Sequence, residues 1–231
     1  MIAFTKSTTQ IGVYKYTSAG VLDTNFDGDG KAFVTLTSSS APRVSKVLFG
    51  SDNNLYVSVI TRDSSYCYQY SVIKVKASGQ VDTAYNVNVT ENAYSPTNYY
   101  DVVLDNQGRL ILILGSKVYR YNADGTASLS PIDAGIKISS VSSNSNGDIA
   151  VVGQPSVAPI SPVVDNKGDS VAASSSTSSS AYVVKVFSGV NGALLGSYAD
   201  QAGLTLYSYT QPAIKIDGED RIIIMINDMS N

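Results

Sequence analysis

The hydrophobic and polar positions of this chain follow a pattern that recurs about four times. The first half of each copy is an apolar stretch with one basic residue, followed by a polar turn that contains glycine. The basic residues are Lys15, Lys74, Arg120 and Lys185, which lie 59, 46 and 65 residues apart. The second half is a turn rich in Asp, Asn and Gly that leads into an apolar run, at 52–59, 105–113, 146–153 and 217–224. A repeat of this kind defines an architecture more closely than a function.

The apolar runs are short, rich in β-branched residues and bounded by turn residues, which is typical of strands. Strands are predicted at residues 11–16, 32–37, 45–49, 55–62, 70–76, 100–104, 110–114, 117–121, 137–141, 149–153, 182–187, 194–198, 213–216 and 221–227. No stretch of useful length has the 3.6-residue periodicity of an amphipathic helix. The chain is therefore predicted to be all-β.

Two of the predicted strands, residues 110–114 and 222–226, are apolar at every position. Such strands need cover on both faces, which blades packed between neighbouring blades provide. One blade of a β-propeller takes roughly 40–50 residues and four strands, and loops absorb irregular steps between repeats. These features predict a β-propeller of about four blades, with residues 1–231 as a single domain.

The two ends of the sequence match the same part of the repeat. Residues 2–4 align with the apolar strand at 55–59, and residues 222–226 form an equivalent strand. Propellers often close by sharing one blade between the two ends, which leaves no open edge. We therefore expect the strands near 2–4 and 11–16 to lie in the same blade as 222–226. The alternative is a piece of a longer propeller.

Residues 155–181 depart from the repeat. They contain Pro155, Pro159 and Pro162, followed by a run of Ala, Ser and Thr at 172–180. This composition cannot bury enough apolar surface to order itself. It predicts a disordered or exposed loop inside one blade.

The stretch from Tyr14 to Lys31 combines a basic-aromatic strand, a glycine turn and the run Leu22-Asp23-Thr24-Asn25-Phe26-Asp27-Gly28-Asp29-Gly30. It resembles the delta-60 repeat, whose pattern is a basic-aromatic strand, a Gly turn and Leu-Asp-Thr-x-Phe-x-x-Asp-Gly. A partial copy is Val81-Asp82-Thr83-Ala84-Tyr85, whereas the third and fourth copies lack the Asp-Thr pair. The resemblance covers most of the chain and is strongest in its first third. It implies a β-propeller of secreted and surface proteins, and it implies no reaction.

Charge and hydropathy disfavour two classes of partner. The net charge is −3 and the pI about 4.8, with no basic cluster, so nucleic acid is not an expected partner. No apolar run approaches the 18 residues that a membrane span needs. Only 15% of the residues are charged, so Ser, Thr, Asn, Gln and Tyr carry much of the surface, as is common in extracellular and virion proteins.

The N-terminal residues 1–6 lack the long apolar core of a signal peptide. An exported-looking surface without such a signal leaves three options. The sequence is a fragment or mature piece, it leaves the cell by an unusual route, or it is a virion protein released by lysis.

The chain has no His and one Cys, which excludes a Ser-His-Asp arrangement and metal sites built on His or on several Cys. Cys67 is interpreted as a small strand residue. The metal candidate is calcium at Asp23, Asn25, Asp27 and Asp29, which imitate the first half of a calcium loop; position 12 is Val34 instead of Glu. The alternative is a turn whose Asp side chains cap backbone N–H groups. No other cofactor is predicted.

Paired carboxylates for glycoside hydrolysis need a separation of roughly 5–10 Å in a cleft. Acidic residues that can converge at a propeller mouth are Asp63, Glu91, Asp101, Asp133 and Glu219. Nothing in the sequence distinguishes a pair among them, so a non-enzymatic function is favoured.

Tyrosine is enriched, with 16 Tyr against 5 Phe and no Trp. Tyr gives a large contact area at low entropic cost, which suits an interface with protein or glycan. The candidate contact residues are Tyr66, Tyr68, Tyr70, Tyr94, Tyr99, Tyr100, Tyr207 and Tyr209. The alternative is blade packing with the hydroxyl groups at the rim, and the lack of Trp weakens the glycan interpretation.

Together these features favour a non-enzymatic β-propeller that serves as a structural or interaction module. The expected setting is a virion, as a phage-like tail or capsid-associated protein, with protein partners in an assembly. One alternative is a fragment of a secreted or cell-surface adhesin that binds glycans. The other is a carbohydrate-active enzyme on a propeller scaffold.

Overall fold

The computed structural model describes residues 2–36, 42–63, 65, 67–91, 100–155, 163–164, 170–171, 182–199 and 212–225. The regular elements in these ranges are strands. They are β1 (Ile2–Thr5), β2 (Gln10–Tyr14), β3 (Lys31–Thr35), β4 (Arg43–Phe49), β5 (Leu55–Arg62), β6 (Tyr68–Val75), β7 (Val87–Glu91), β8 (Tyr100–Leu104), β9 (Leu110–Leu114), β10 (Lys117–Tyr121), β11 (Ile132–Asp133), β12 (Ile136–Ser143), β13 (Ile149–Pro155), β14 (Val163–Val164), β15 (Ser170–Val171), β16 (Val183–Phe187), β17 (Leu194–Ala199), β18 (Ala213–Ile216) and β19 (Ile222–Met225). Among the described residues, no helix is long and apolar enough to cross a membrane.

The strands form up-and-down sheets. In the described part of the chain three sheets have four strands, in the orders β4-β5-β6-β7, β11-β10-β9-β8 and β12-β13-β16-β17. A three-stranded sheet, β1-β2-β3, precedes them in sequence, and a two-stranded sheet, β18-β19, follows. Four antiparallel strands joined in succession are the structure of a propeller blade. The predicted fold class, all-β and propeller-like, is therefore confirmed.

The sheets share a repeated irregularity as well as a repeated topology. The β4–β5 ladder shifts register between Val44 and Lys46, and the β12–β13 ladder shifts between Ile138 and Ser140. Both shifts lie six residues before the turn that joins the two strands. An extra residue at this point increases the local twist of the first strand of the sheet.

The chain divides into two compact units. The first unit comprises Met1–Leu112 and Tyr119–Ser130. Its core includes Ile11 and Val13 of β2, which pack with Val57 and Val59 of β5 and with Phe26 of the loop after β2. The alternating burial of β3, with Ala32 and Val34 inward, follows the period of two that a strand imposes on its faces.

The second unit comprises Ile113–Val118 and Pro131–Asn231. Its core includes Ala150 and Val152 of β13, which pack with Val184 of β16 and with Ile214 and Ile216 of β18. The backbone amides of these two isoleucines donate to the serine hydroxyls of β12, Ile214 to Ser140 at 3.2 Å and Ile216 to Ser142 at 2.9 Å. The serine side chains of β12 therefore accept hydrogen bonds from one edge of β18, and β19 pairs with its other edge.

Most predicted strands occur where the sequence places them, and β5, β8, β9, β10 and β18 have the predicted bounds. Strand β7 was not predicted, although the alternation from Val87 to Thr90 carries the signal of a half-buried strand. The short β11, β14 and β15 were not predicted either, because two residues give no periodicity.

The prediction that both ends of the chain share one blade is wrong for the described strands. Strand β1 pairs with β2 and β19 pairs with β18, in separate sheets. The physical reason lies in the alignment itself, because β1 and β19 correspond to the same position of the repeat. One blade has room for only one of them.

The predicted loop at 155–181 lies largely outside the described residues. Strands β13 and β16 pair from Ile149↔Phe187 to Gly153↔Val183, so the excursion connects neighbouring strands of one sheet. Within it, β14 and β15 pair through Val163↔Val171 and Val164↔Ser170. The prediction that the excursion belongs to one blade agrees with this connection.

Candidate functional site

The turn before the apolar strand is built around one acidic or amide side chain. In the turn before β9, Asp105 Oδ1 accepts the backbone amides of Gln107 and Arg109, both at 2.9 Å, and Oδ2 accepts Arg109 Nε at 2.6 Å. The turn before β19 repeats this with Asp217, which accepts the amides of Glu219 and Arg221 and the Arg221 Nε at 2.7 Å. These carboxylates close turns, which is the ordinary local role of Asp.

The corresponding turn before β5 differs, because Gly50 occupies the position of Asp105. The backbone bonds are kept, with Gly50 N donating to Asn54 O at 2.9 Å. The carboxylate moves two residues on, to Asp52, whose Oδ1 accepts the Asn54 amide at 3.1 Å. Its second oxygen is thereby available to side chains from the strands of the sheet.

Asp52 accordingly anchors a cluster with Lys74 and Tyr56. Asp52 Oδ2 accepts the Tyr56 hydroxyl at 3.0 Å and lies 3.0 Å from Lys74 Nζ. Lys74 is buried and also donates to the carbonyl oxygen of Ala123 at 3.2 Å. Its ammonium lies 5.2 Å from the ring centroid of Tyr56 and 5.6 Å from that of Tyr85, within the range of cation–π attraction.

The electrostatics of this cluster keep both Asp52 and Lys74 ionised. Burial disfavours the Asp52 carboxylate, but hydrogen bonds from Asn54, Lys74 and Tyr56 lower the pKa of Asp52 to about 2. Burial also disfavours the Lys74 ammonium, yet its contacts with Tyr56 and Asp52 outweigh burial and raise the pKa of Lys74. Burial raises the pKa of the Tyr56 hydroxyl. A lysine with a raised pKa is a structural cation and a poor base at neutral pH.

The other basic residues of the repeat also have structural contacts. Lys15 Nζ lies 2.9 Å from Asp23 Oδ2, and Arg120 Nε donates to Ser128 Oγ at 2.9 Å. Lys185 Nζ donates to the carbonyl oxygen of Ala134 at 2.5 Å. The basic markers of the sequence therefore fasten the loops of the sheets.

An aromatic side chain fills the loop after the basic strand in the first two copies of the repeat. Phe26 and Tyr85 are both buried, and each donates its amide to the Asp three residues earlier. The residue after each aromatic supports the glycine turn of the next copy. A Cβ at Gly79 would meet Asp27 N at 2.6 Å, and one at Gly125 would meet Asn86 N at 3.1 Å. Successive repeats of the first unit are thus in close backbone contact.

The calcium candidate residues make turn contacts. Asp23 Oδ1 accepts the Asn25 amide at 3.1 Å, and Asp29 Oδ1 accepts the Lys31 amide at 2.9 Å. Asp27 Oδ1 accepts the side-chain amide of Gln80. The hydrogen bond from Lys15 is the main cause that lowers the pKa of Asp23. Among the described residues, no group of three or more His, Cys, Asp and Glu side chains can hold a metal, and calcium binding stays a prediction.

The acidic residues considered for hydrolysis each have a different local partner. Asp101 Oδ1 lies 2.7 Å from Lys46 Nζ, and Asp133 Oδ1 accepts the Gly135 amide at 2.9 Å. Asp63 caps the amides of Ser65 and Cys67, and Glu219 lies 2.8 Å from Arg221. The side chain of Glu91 lies outside the described residues. Cys67 is a partly buried free thiol beside this Asp63 turn.

The candidate contact tyrosines have different environments. Tyr68 and Tyr70 share a face of β6, with ring centroids 6.4 Å apart, as the alternation predicts. Tyr70 is nevertheless buried against the Tyr100 ring at 4.7 Å, so it belongs to the core and cannot serve as a contact residue. The Tyr100 hydroxyl lies 2.5 Å from Ser58 Oγ, and burial raises its pKa. The other five candidates lie outside the described residues: Tyr66, Tyr94, Tyr99, Tyr207 and Tyr209.

A surface that the sequence did not suggest occurs in the second unit. Among the described strands β19 ends its sheet, and Ile223, Ile224 and Met225 are 45%, 41% and 57% exposed. Leu194 and Leu195 of β17, which ends the sheet β12-β13-β16-β17, are also more than half exposed. We call β19 with these three exposed side chains the β19 edge. The apolar composition of β19 was visible in the sequence, but its exposure depends on tertiary neighbours.

No family model matches this chain, and no curated protein matches it in sequence. Among solved structures it is similar to a mutant of the Synechocystis apocarotenoid oxygenase, with a TM-score of 0.42 and 10% sequence identity. The match covers 90% of this chain and 47% of that structure, so the chain spans about half its length. This likeness is one of fold alone, and the blade-like sheets rest on their own hydrogen bonding.

Proposed function

We propose that this chain is a non-enzymatic β-propeller module that makes structural or interaction contacts in an assembly. The observation that carries the proposal is the β19 edge, where a strand with exposed Ile223, Ile224 and Met225 ends a sheet. An exposed apolar edge strand offers unpaired backbone groups and an apolar face to a partner strand. The partner we propose is a protein segment that adds to this edge.

The contacts of the ionisable side chains support a structural function. Asp105, Asp217 and Asp52 close turns, and Lys74 and Lys185 fasten loops to strands. Groups with these contacts stabilise the sheets. Their positions in the repeat follow turn geometry.

The setting we propose is a virion, as a tail or capsid-associated protein, or an extracellular surface. A surface carried by uncharged polar residues supports this proposal. We further propose that the repeat is of the delta-60 type. The supporting observation is that its loop has the same backbone bonds in two copies, with Asp23 N donating to Lys15 O at 2.9 Å and Asp82 N to Lys74 O at 2.8 Å.

The test is self-association and particle binding of the purified chain, with Ile224→Lys as the variant. A lysine at the centre of the β19 edge should block strand addition while leaving the melting temperature nearly unchanged, because Ile224 is exposed. Val190→Lys is the matched control, since Val190 is exposed in the turn between β16 and β17. Light scattering and co-sedimentation with virion fractions measure the result. A wild-type chain that stays monomeric and binds no particle, or an Ile224→Lys variant that associates like wild type, would contradict the proposal.

A further inference from the structure

The first unit contains a small pocket between the end of β3 and the face of the sheet β4-β5-β6-β7. Its volume is about 200 Å³, and its lining includes Leu36 after β3 and side chains of β5, β6 and β7. A water molecule occupies about 30 Å³ in the liquid, so the pocket has room for several water molecules. Drug-sized ligands need roughly 300–1,000 Å³. The volume therefore suits a ligand with a single ring.

The face of the pocket is defined by strand register. Ser71 of β6 lies opposite Val59 of β5 and Asn88 of β7, and Gln69 lies opposite Thr61. Residues directly opposite in antiparallel strands point to the same face. These side chains stand on three hydrogen-bonded strands, so their positions are set before any ligand binds.

The polar side chains of the lining include hydroxyl and amide groups from Thr61, Gln69, Ser71, Asn86 and Asn88. They already form a short relay, in which Ser71 Oγ donates to Asn88 Oδ1 at 2.5 Å and the Asn88 amide donates to Asn86 Oδ1. Each amide side chain has two donors and two acceptor lone pairs, so the relay uses only part of its capacity. Alternating donors and acceptors of this kind match the hydroxyl groups of a sugar.

The apolar part of the lining complements this arrangement. Leu36 and Ile73, which are partly buried, provide an apolar surface beside the amides. A sugar ring presents C–H groups on its faces and hydroxyl groups around its edge. It therefore fits a site in which an apolar surface contacts the ring face and polar side chains surround the ring edge. Among the residues that the structure describes, the lining includes no Asp, Glu, Lys or Arg. A charged ligand would lose its hydration there without gaining a counter-charge.

We propose that this pocket binds a neutral saccharide through one ring. The proposal does not depend on the assembly function proposed above, because the pocket lies in the first unit and the β19 edge in the second. It assigns a ligand class to a site that neither the tyrosine pattern nor the calcium motif indicated.

The test is a titration of the full-length isotope-labelled chain followed by amide NMR shifts. The probes are glucose, galactose, mannose and N-acetylglucosamine, with glucuronate and glucosamine as charged counterparts. We expect at least one neutral sugar to shift the amides of residues 69–73 and 86–88 with an affinity in the millimolar range. The charged counterparts should bind several-fold more weakly or not at all.

Two variants sharpen this test. Gln69→Ala should weaken binding about five- to tenfold, the loss of roughly one hydrogen bond. Ser71→Leu should fill the pocket and abolish binding while the rest of the spectrum stays native. Gln107→Ala is the matched control, because Gln107 is exposed in the turn before β9. The proposal is overturned if no neutral sugar shifts these amides, if charged counterparts bind as well, or if Ser71→Leu binds like wild type. Loss of assembly in Ile224→Lys leaves sugar binding unchanged, so the two proposals fail separately.

Discussion

Strands β9 and β19 are the same element of the repeat in two different environments. Each follows an Asp turn closed by an Arg four residues later, and each is apolar throughout. All five residues of β9 are buried, whereas Ile223, Ile224 and Met225 of β19 are largely exposed. Among the described strands, β9 lies between β8 and β10, whereas β19 pairs with β18 alone. Local sequence therefore defines the strand, and its neighbours decide whether it is core or edge.

The largest expected effect compares Ile111→Ala with Ile223→Ala, which occupy equivalent positions six residues after Asp105 and Asp217. Ile111 is fully buried, so its truncation should lower the free energy of unfolding by about 3–4 kcal/mol. Truncation of the exposed Ile223 should lower the free energy of unfolding by less than about 1 kcal/mol. Urea denaturation followed by circular dichroism measures both. Equal losses would mean that β19 is covered like β9.

A second comparison uses the glycine turns. Gly20 and Gly79 both have positive φ, 79° and 98°, but only a Cβ at Gly79 would meet the backbone of Asp27. Gly79→Ala should therefore lower the free energy of unfolding by about 2–3 kcal/mol, and Gly20→Ala by about 1 kcal/mol from backbone strain alone. Thermal unfolding of the two variants decides the matter. A larger loss of stability in Gly20→Ala than in Gly79→Ala would mean that the backbone contact between successive repeats adds little to stability.

The Asp turns allow a third comparison. Asp105→Ala removes three hydrogen bonds and leaves the Arg109 guanidinium without its carboxylate, which should cost about 2 kcal/mol. Asp217→Ala removes the same bonds from an exposed turn, where water replaces them, and the loss should be clearly smaller. Denaturant midpoints of the two variants give the ranking. A larger loss of stability in Asp217→Ala than in Asp105→Ala would contradict the assignment of β9 as a covered strand and β19 as an exposed one.

The smallest effect concerns acid. The pKa of Asp52 in the folded protein is about 2, below the ordinary value of 3.8, so its contribution to stability is present above pH 4. It is lost as the pH falls from about 4 to 2. Because the Asp52 side chain is 38% exposed, screening limits the contribution to about 1 kcal/mol at most.

Asp52→Asn should flatten the fall in stability across this window, measured by denaturation at a series of pH values. The effect should be larger than that of Asp217→Asn. The Arg221 partner lowers the pKa of Asp217 too, but in an exposed turn. An unchanged acid transition in Asp52→Asn would mean that the cluster with Lys74 adds nothing to stability.

Much of the fold could be predicted from the sequence because its signals are local. The apolar runs and turn residues gave the bounds of β5, β9 and β18, and the repeat gave the blade-like sheets. The basic residues were visible as markers, but their contacts with loop carbonyls, such as that of Lys74 with Ala123, join residues 49 positions apart. No periodicity reports contacts of that range.

The candidate site was harder to predict because burial decides it. The alternation of Tyr68 and Tyr70 predicted a shared face, yet Tyr70 packs on Tyr100 in the core. The Asp23 to Asp29 motif imitates a calcium loop, and its carboxylates cap backbone amides as turn residues do. The exposure of the β19 edge and the amide-lined pocket depend on tertiary structure, so neither could be predicted from the sequence.

Hydrogen exchange of the isolated chain compares β9 and β19 in one sample and shows whether β9 is a core strand and β19 an open edge. Amides of a strand between two partners open only with larger unfolding, whereas those of an open edge exchange by local fraying. We expect the amides of Ile111–Ile113 to be protected about a hundredfold more strongly than those of Ile223–Met225. Equal protection of the two strands would contradict it, since β19 would then be covered in the same way as β9.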